Sequence, residues 1–161
     1  VELFKCQRLE KPVYGFAVVY LGLPLQVVYG IGLATMSVDY IRKAVVTGAS
    51  SGIGREIAKQ FAREGWHVLA VARRSDRLKA LADEIDGGIV PFPCDLAADS
   101  GPGDVVAAAQ ERIGVIDLLI NNAGVSWVAM MAEMSDQALE RIMDLYVRAL
   151  MRLCRESIPQ L

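Results

Sequence analysis

The hydrophobic pattern divides the chain near residue 39. Beyond that point short apolar runs alternate with helical stripes. Lys43-Ala44-Val45-Val46 is an apolar, β-branched run that leads into a glycine-rich turn. Ile53, Ile57 and Phe61 then recur every fourth residue, with Ala58 and Ala62 beside them, as in a helix with one buried face. Gly65 marks the end of that helix. Read onward in this way, the pattern predicts strand 43–47, helix 53–64, strand 67–72, helix 76–85, strand 89–93, helix 103–113, strand 117–121 and a long helix 135–158. Alternating strands and helices imply a parallel sheet covered on both faces. The doubly wound rule gives the strand order 3-2-1-4, with a ligand crevice beside strand 1. The run Val115-Ile116-Asp117-Leu118-Leu119-Ile120 is then left as an apolar edge, an expected aggregation hazard. Asp99 to Asp104 reads as a turn, since periodic structure resumes at once.

The turn after the first of these strands is Thr47-Gly48-Ala49-Ser50-Ser51-Gly52-Ile53-Gly54. Its spacing is Gly-x-x-x-Gly-x-Gly. Glycines lack Cβ, so phosphate oxygens can approach the main chain. The helix that follows points unpaired N–H groups and a partial positive charge at such an anion. Set between a strand and a helix, with a second strand beyond, this is the arrangement a dinucleotide site requires. A P-loop does not fit: Gly54 is followed by Arg55-Glu56, with no Lys-Ser or Lys-Thr pair.

Two further motifs follow in order: Cys94-Asp95-Leu96 after the third strand and Asn121-Asn122-Ala123-Gly124 at the end of the fourth. With the glycine loop, they make the stretch from about Met36 to Leu161 resemble the N-terminal half of the short-chain dehydrogenase/reductase family. The resemblance implies a Rossmann-type doubly wound sheet that ends, in this chain, after the fourth strand and following helix. It implies that Gly48, Ser50, Ser51, Gly52, Ile53 and Gly54 cradle the cofactor pyrophosphate. Asp95 would hold the adenine amino group, with Leu96 beside it. Asn121, Ala123 and Gly124 would line the cofactor ribose and brace the sheet. A local cap for Asp95 and a tight turn at Asn121-Asn122 are structural readings that coexist with these roles.

The tip of the second strand reads Val71-Ala72-Arg73-Arg74, with no acid before Asp76. A carboxylate there accepts from ribose hydroxyls, whereas arginine favours the extra 2′-phosphate. A guanidinium meets a phosphate with two parallel hydrogen bonds. The expected cofactor is therefore NADP(H) rather than NAD(H), with Arg73 ahead of Arg74.

By the same resemblance the reaction is hydride transfer between nicotinamide and a carbonyl or alcohol carbon of a small substrate. The family's acid/base is a Tyr with a Lys four residues on, preceded by a Ser. No Tyr-x-x-x-Lys exists here: four residues after Tyr14, Tyr20, Tyr29, Tyr40 and Tyr146 stand Val18, Pro24, Leu33, Ala44 and Leu150. The expectation is a cofactor-binding part of a longer enzyme, inactive alone, with no catalytic residue of its own. Tyr146 stands where the family has a helix Asn, and its place in the stripe Leu139, Ile142/Met143, Tyr146, Leu150, Leu153 reads as a packing or interface aromatic. The rival reading is a non-catalytic module that binds or senses NADP(H). The long helix resembles one that pairs subunits in the family, so the complete enzyme is expected to be a homo-oligomer.

Residues 1–38 fall outside the resemblance, and residues 39–161 form the partial cofactor domain. Residues 13–38 carry no charge. As a helix they would span about 39 Å, enough for a bilayer core of ~30 Å. A membrane anchor, a signal peptide and translation from upstream of the native start are the readings this segment admits. Pro24 and the glycines at 15, 22, 30 and 32 weaken a helix without forbidding one in a membrane.

Composition narrows the rest. The 161 residues fit one domain, and a net charge of −2 gives no footprint for nucleic acid. Cys6, Cys94 and Cys154 show no metal spacing and no paired framework, which suits a reducing, cytoplasmic setting unless the anchor places the chain at a membrane. His67 has no partner cluster, so no metal is expected.

Overall fold

The computed structural model describes residues 16–18, 41–125 and 131–159. The elements in chain order are β1 (Phe16–Val18), β2 (Lys43–Thr47), α1 (Gly52–Arg63), β3 (His67–Ala72), α2 (Ser75–Glu84), β4 (Ile89–Pro93), α3 (Gly101–Arg112), β5 (Leu118–Ile120), α4 (Asp136–Met143) and α5 (Leu150–Ser157). A π-helical stretch, Asp144–Ala149, joins α4 to α5. The single long helix expected from the sequence is therefore continuous but widened at its middle.

All pairings in the sheet are parallel, and its order is β1-β5-β2-β3-β4. Among the four strands from Lys43 onward this is the expected 3-2-1-4. Parallel strands buried on both faces need apolar residues in both phases of the pleat, and β2 supplies them. Val45, with Leu69, Val71 and Leu119, faces a core shared with α3 and α5. Ala44 and Val46, with Val68 and Ala70, face Ala58 of α1 and Leu78 and Leu81 of α2. All eleven are fully buried.

Helix α1 ends as its sequence predicts. Gly65 takes a φ of +83°, a left-handed conformation costly for other residues, and its N–H donates to the Ala62 carbonyl. Trp66 then packs edge-on against Phe61 at 4.8 Å between ring centres and carries the Arg42 guanidinium over its face at 4.6 Å. Ionic contacts tie α1 to α2: Arg55 and Lys59 both meet the Glu84 carboxylate at 2.5 Å. Hydrogen bonds from Lys59, then from Arg55, lower the Glu84 pKa below the usual carboxylate range.

One expectation is corrected at the sheet edge. The strand at Leu118–Ile120 is not left open: Phe16, Ala17 and Val18 pair with Leu118, Leu119 and Ile120. The edge strand's row of N–H and C=O groups is thereby met by a three-residue parallel partner. These three residues are strand, not helix. The rest of the span 13–38 lies outside the described residues. Among the described residues no helix is long and apolar enough to cross a membrane.

Cys94, just past β4, packs against the α3/α5 core. Burial first, then the nearby Asp104 and Asp95 carboxylates, push its thiol up to about 11 from 9.0. The folded protein thus holds this proton more tightly than the unfolded chain. Its stabilising effect is complete below pH 9.0 and is lost as pH rises toward about 11. Urea unfolding across that window is expected to show a steeper loss of stability in the native sequence than in Cys94→Ala; equal slopes would contradict the assignment.

Candidate cofactor site

The carboxyl ends of β2, β3, β4 and β5 open on one side of the sheet, where doubly wound folds bind ligands. A cleft of about 590 Å³ lies there, within the range of small-molecule sites. Its walls come from four places: the turn after β2, the tips of β3 and β4, the loop after β5, and one face of the α4 region.

The turn after β2 and the loop after β5 are joined by Thr47, whose side chain is buried. Its hydroxyl donates to the Ile120 carbonyl at 3.1 Å and accepts from the N–H groups of Asn122 at 2.9 Å and Ala123 at 3.0 Å. The Asn122 amide returns a hydrogen bond to the Thr47 carbonyl at 3.1 Å. That amide also explains two glycines. A Cβ at Gly48 would lie 2.8 Å from Asn122 Nδ2, and one at Gly54 would collide with the same atom and with the Gly48 carbonyl oxygen. Gly48 and Gly52 also adopt φ of +69° and +59°.

The outward side of the turn leads into the first turn of α1. Ser51 precedes α1 but makes no side-chain cap, and the first turn of α1 holds no acid. The hydroxyls of Ser50 and Ser51 instead accept from Arg74, at 2.8 Å and 2.7 Å. This leaves the first N–H groups of α1 without a side-chain acceptor. Arg73 lines the same cleft and is exposed, with no protein partner among the described residues.

The residues expected from the sequence divide between the cleft, an outer groove and the interior. Gly48, Ser50, Ser51, Arg73, Arg74, Asp95, Leu96, Ala123 and Gly124 all line the cleft. Asp95 takes the Ala97 N–H at 3.1 Å, so the local cap is real and coexists with its place in the wall. Gly52 and Ile53 line a shallower groove between α1 and α2, on the outer side of the turn. Gly54 is buried inside the first turn of α1. Asn121 is buried as well and points its amide to Cys154 Sγ at 3.4 Å, so it braces the sheet from behind the cleft. Burial raises the Cys154 pKa, with the Asn121 hydrogen bond acting against it.

Sequence reasoning missed part of the wall: Asn122, and Ala138, Arg141, Ile142 and Leu145 from the helix. The signal for the helical residues exists, since positions 138, 141, 142 and 145 share one helix face. The apolar stripe of Leu139, Ile142/Met143 and Tyr146 shares only Ile142 with that face. Among the described residues no cluster of His, Cys, Asp or Glu could hold a metal ion.

The Thr47 hydroxyl is the contact on which both loops rest. Thr47→Val keeps its shape and removes its three hydrogen bonds, leaving the half-buried N–H groups of Asn122 and Ala123 without that acceptor. The expected cost is about 1–3 kcal/mol in a chemical denaturation experiment; an unchanged midpoint would show that the loops hold each other without it.

Comparison with known proteins agrees with this architecture. Residues 42–161 match the family described as short chain dehydrogenase. Over 123 residues the chain is 44% identical to a fatty acyl-CoA reductase of Mycobacterium tuberculosis, covering 73% of this chain and 42% of that protein. Among solved structures it is similar to L-sorbose reductase from Gluconobacter frateurii, complexed with NADPH and L-sorbose. There the identity is 35% and the TM-score 0.68, covering 74% of this chain and 47% of that one. It is also similar to a 3-ketoacyl-(acyl-carrier-protein) reductase from Brucella melitensis complexed with NADH, at 30% identity and a TM-score of 0.71, covering 74% and 49%. The chain spans less than half the length of each of these proteins. The matched residues include the glycine turn and the loop after β5, and the chain belongs to the short-chain dehydrogenase family.

Proposed function

We propose that this chain is the cofactor-binding part of an NADP(H)-dependent oxidoreductase that acts on a small carbonyl or alcohol substrate. One observation carries the reading. The cleft joins an uncapped helix N-terminus to a strand tip with two arginines and no carboxylate. The residues fit a dinucleotide: Gly48 and Gly54 leave no room for a Cβ, so the turn packs tightly inward, and Gly48, Ser50 and Ser51 line the cleft. The pyrophosphate would lie against Gly48, Ser50, Ser51 and the start of α1. Asp95 and Leu96 would meet the adenine, and Ala123 and Gly124 the other nucleoside. When bound, the cofactor supplies or takes up the hydride.

The two arginines have different tasks. Arg74 holds the glycine turn through Ser50 and Ser51. Arg73 is the guanidinium left for the 2′-phosphate. The NADPH and NADP complexes among related structures support this preference, and the NADH complex marks its alternative. The exposed stripe Leu139, Met143, Val147 and Met151 along the long helix supports a homo-oligomer of the complete enzyme. A cytoplasmic setting remains the companion proposal.

The second reading, a module that binds NADP(H) without using it, rests on Tyr146 at the family's Asn position. Both readings predict binding without turnover by these 161 residues. Fluorescence titration of the full chain tests the shared claim. NADPH is expected to bind more tightly than NADH. Arg73→Ala should weaken NADPH about ten- to a hundredfold and leave NADH nearly unchanged. Arg74→Ala should weaken both. Tighter binding of NADH by the native sequence would overturn the cofactor assignment.

A further inference from the structure

Tyr146 touches two residues of the cleft wall, Gly124 and Val125, without lining the cleft itself. It lies on the π-helical stretch, next to Leu145, which lines the cleft. Its hydroxyl donates to the Val125 carbonyl at 2.6 Å. Its ring lies against Gly124: a Cβ there would sit 2.7 Å from the phenol oxygen, 3.1 Å from Cζ and 3.3 Å from Cε1. The φ of Gly124 is not left-handed, so backbone freedom does not explain this glycine. The space it leaves is the space the phenol uses.

The loop Asn122 to Val125 is thus held from two sides. Thr47 fixes Asn122 and Ala123 from the strand side, and Tyr146 fixes Gly124 and Val125 from the helix side. The sheet order places the loop on the opposite side of β2 from the arginines that follow β3. A dinucleotide whose pyrophosphate rests on the turn after β2 therefore has one nucleoside toward β3 and the other toward β5. With the 2′-phosphate claimed by Arg73, the nicotinamide nucleoside lies on the side that Tyr146 controls.

From this geometry we propose that Tyr146 is a positioning residue for the nicotinamide half of the cofactor, acting through Gly124 and Val125. The inference rests on the nucleotide-site reading above. It gives the phenol a task beyond packing: it sets one wall of the cleft without touching the adenosine side. A residue with a merely structural role would affect the two halves of the ligand alike.

The test uses the full chain and two probes, NADPH and adenosine 2′,5′-bisphosphate, which lacks the nicotinamide half. Tyr146→Phe keeps the ring and removes the hydrogen bond to Val125. It is expected to weaken NADPH about three- to tenfold and leave the bisphosphate unchanged. Binding of the bisphosphate also reports that the variant is folded. Gly124→Ala should weaken NADPH in the native background and cost less in the Tyr146→Phe background, where the 2.7 Å contact is gone. Equal weakening of both probes, or no change in NADPH binding, would overturn the proposal while leaving the nucleotide site intact. If the native chain fails to bind the bisphosphate, the nucleotide-site reading falls and this inference falls with it.

Discussion

A single buried hydroxyl aligns the two loops between which the cleft opens. Thr47 is the last residue of β2 and the first of the glycine turn. Its side chain reaches across to β5, giving a hydrogen bond to the Ile120 carbonyl and accepting two from the loop beyond. Adjacent parallel strands are linked by their ladder, but the ladder stops where the strands stop. Past that point nothing in the sheet itself fixes one loop against another. Thr47 extends the registration of β2 and β5 by three residues, into the segment that forms the wall of the site. Because the hydroxyl is buried, each of its bonds is made away from competing water, and losing one leaves a costly orphan.

The glycines follow from the same constraint. The usual account of a glycine turn looks outward, to the phosphate that approaches its N–H groups. Here the inward side matters as much. Asn122 is drawn toward β2 by the Thr47 carbonyl, and its amide then occupies the space where side chains at positions 48 and 54 would lie. The turn is packed from behind by a neighbouring loop and clamped from the front by Arg74. A loop held on both sides is preorganised, so less ordering is left for the ligand to bring about.

Much of this was legible in the residues. The strands were readable because β-branched runs such as Ala44-Val45-Val46 are bounded by glycine, and α1 because Gly65 ends its stripe where a left-handed residue is needed. The crevice followed from strand order alone. Asn121 and Asn122 were less legible, since neighbouring identical residues on a strand end point to opposite sides. Asn121 turns to Cys154 behind the sheet, and Asn122 turns to the glycines in front. The π-helical stretch leaves no mark in composition, yet it carries the residue that reaches Val125. Strand β1 was hidden because three residues inside a long uncharged run are too few to show an alternating pattern.

The central claim is that the loops joined through Thr47 form one nucleotide cleft. Hydrogen–deuterium exchange of the full chain with and without NADPH tests it most directly. The account predicts slower exchange at four separated segments together: Gly48 to Gly54, Ala72 to Arg74, Asp95 to Ala97, and Asn122 to Val125. The remote turn at Gly87-Gly88 should exchange as before. Protection confined to the outer groove between α1 and α2, or no protection at saturating NADPH, would contradict it.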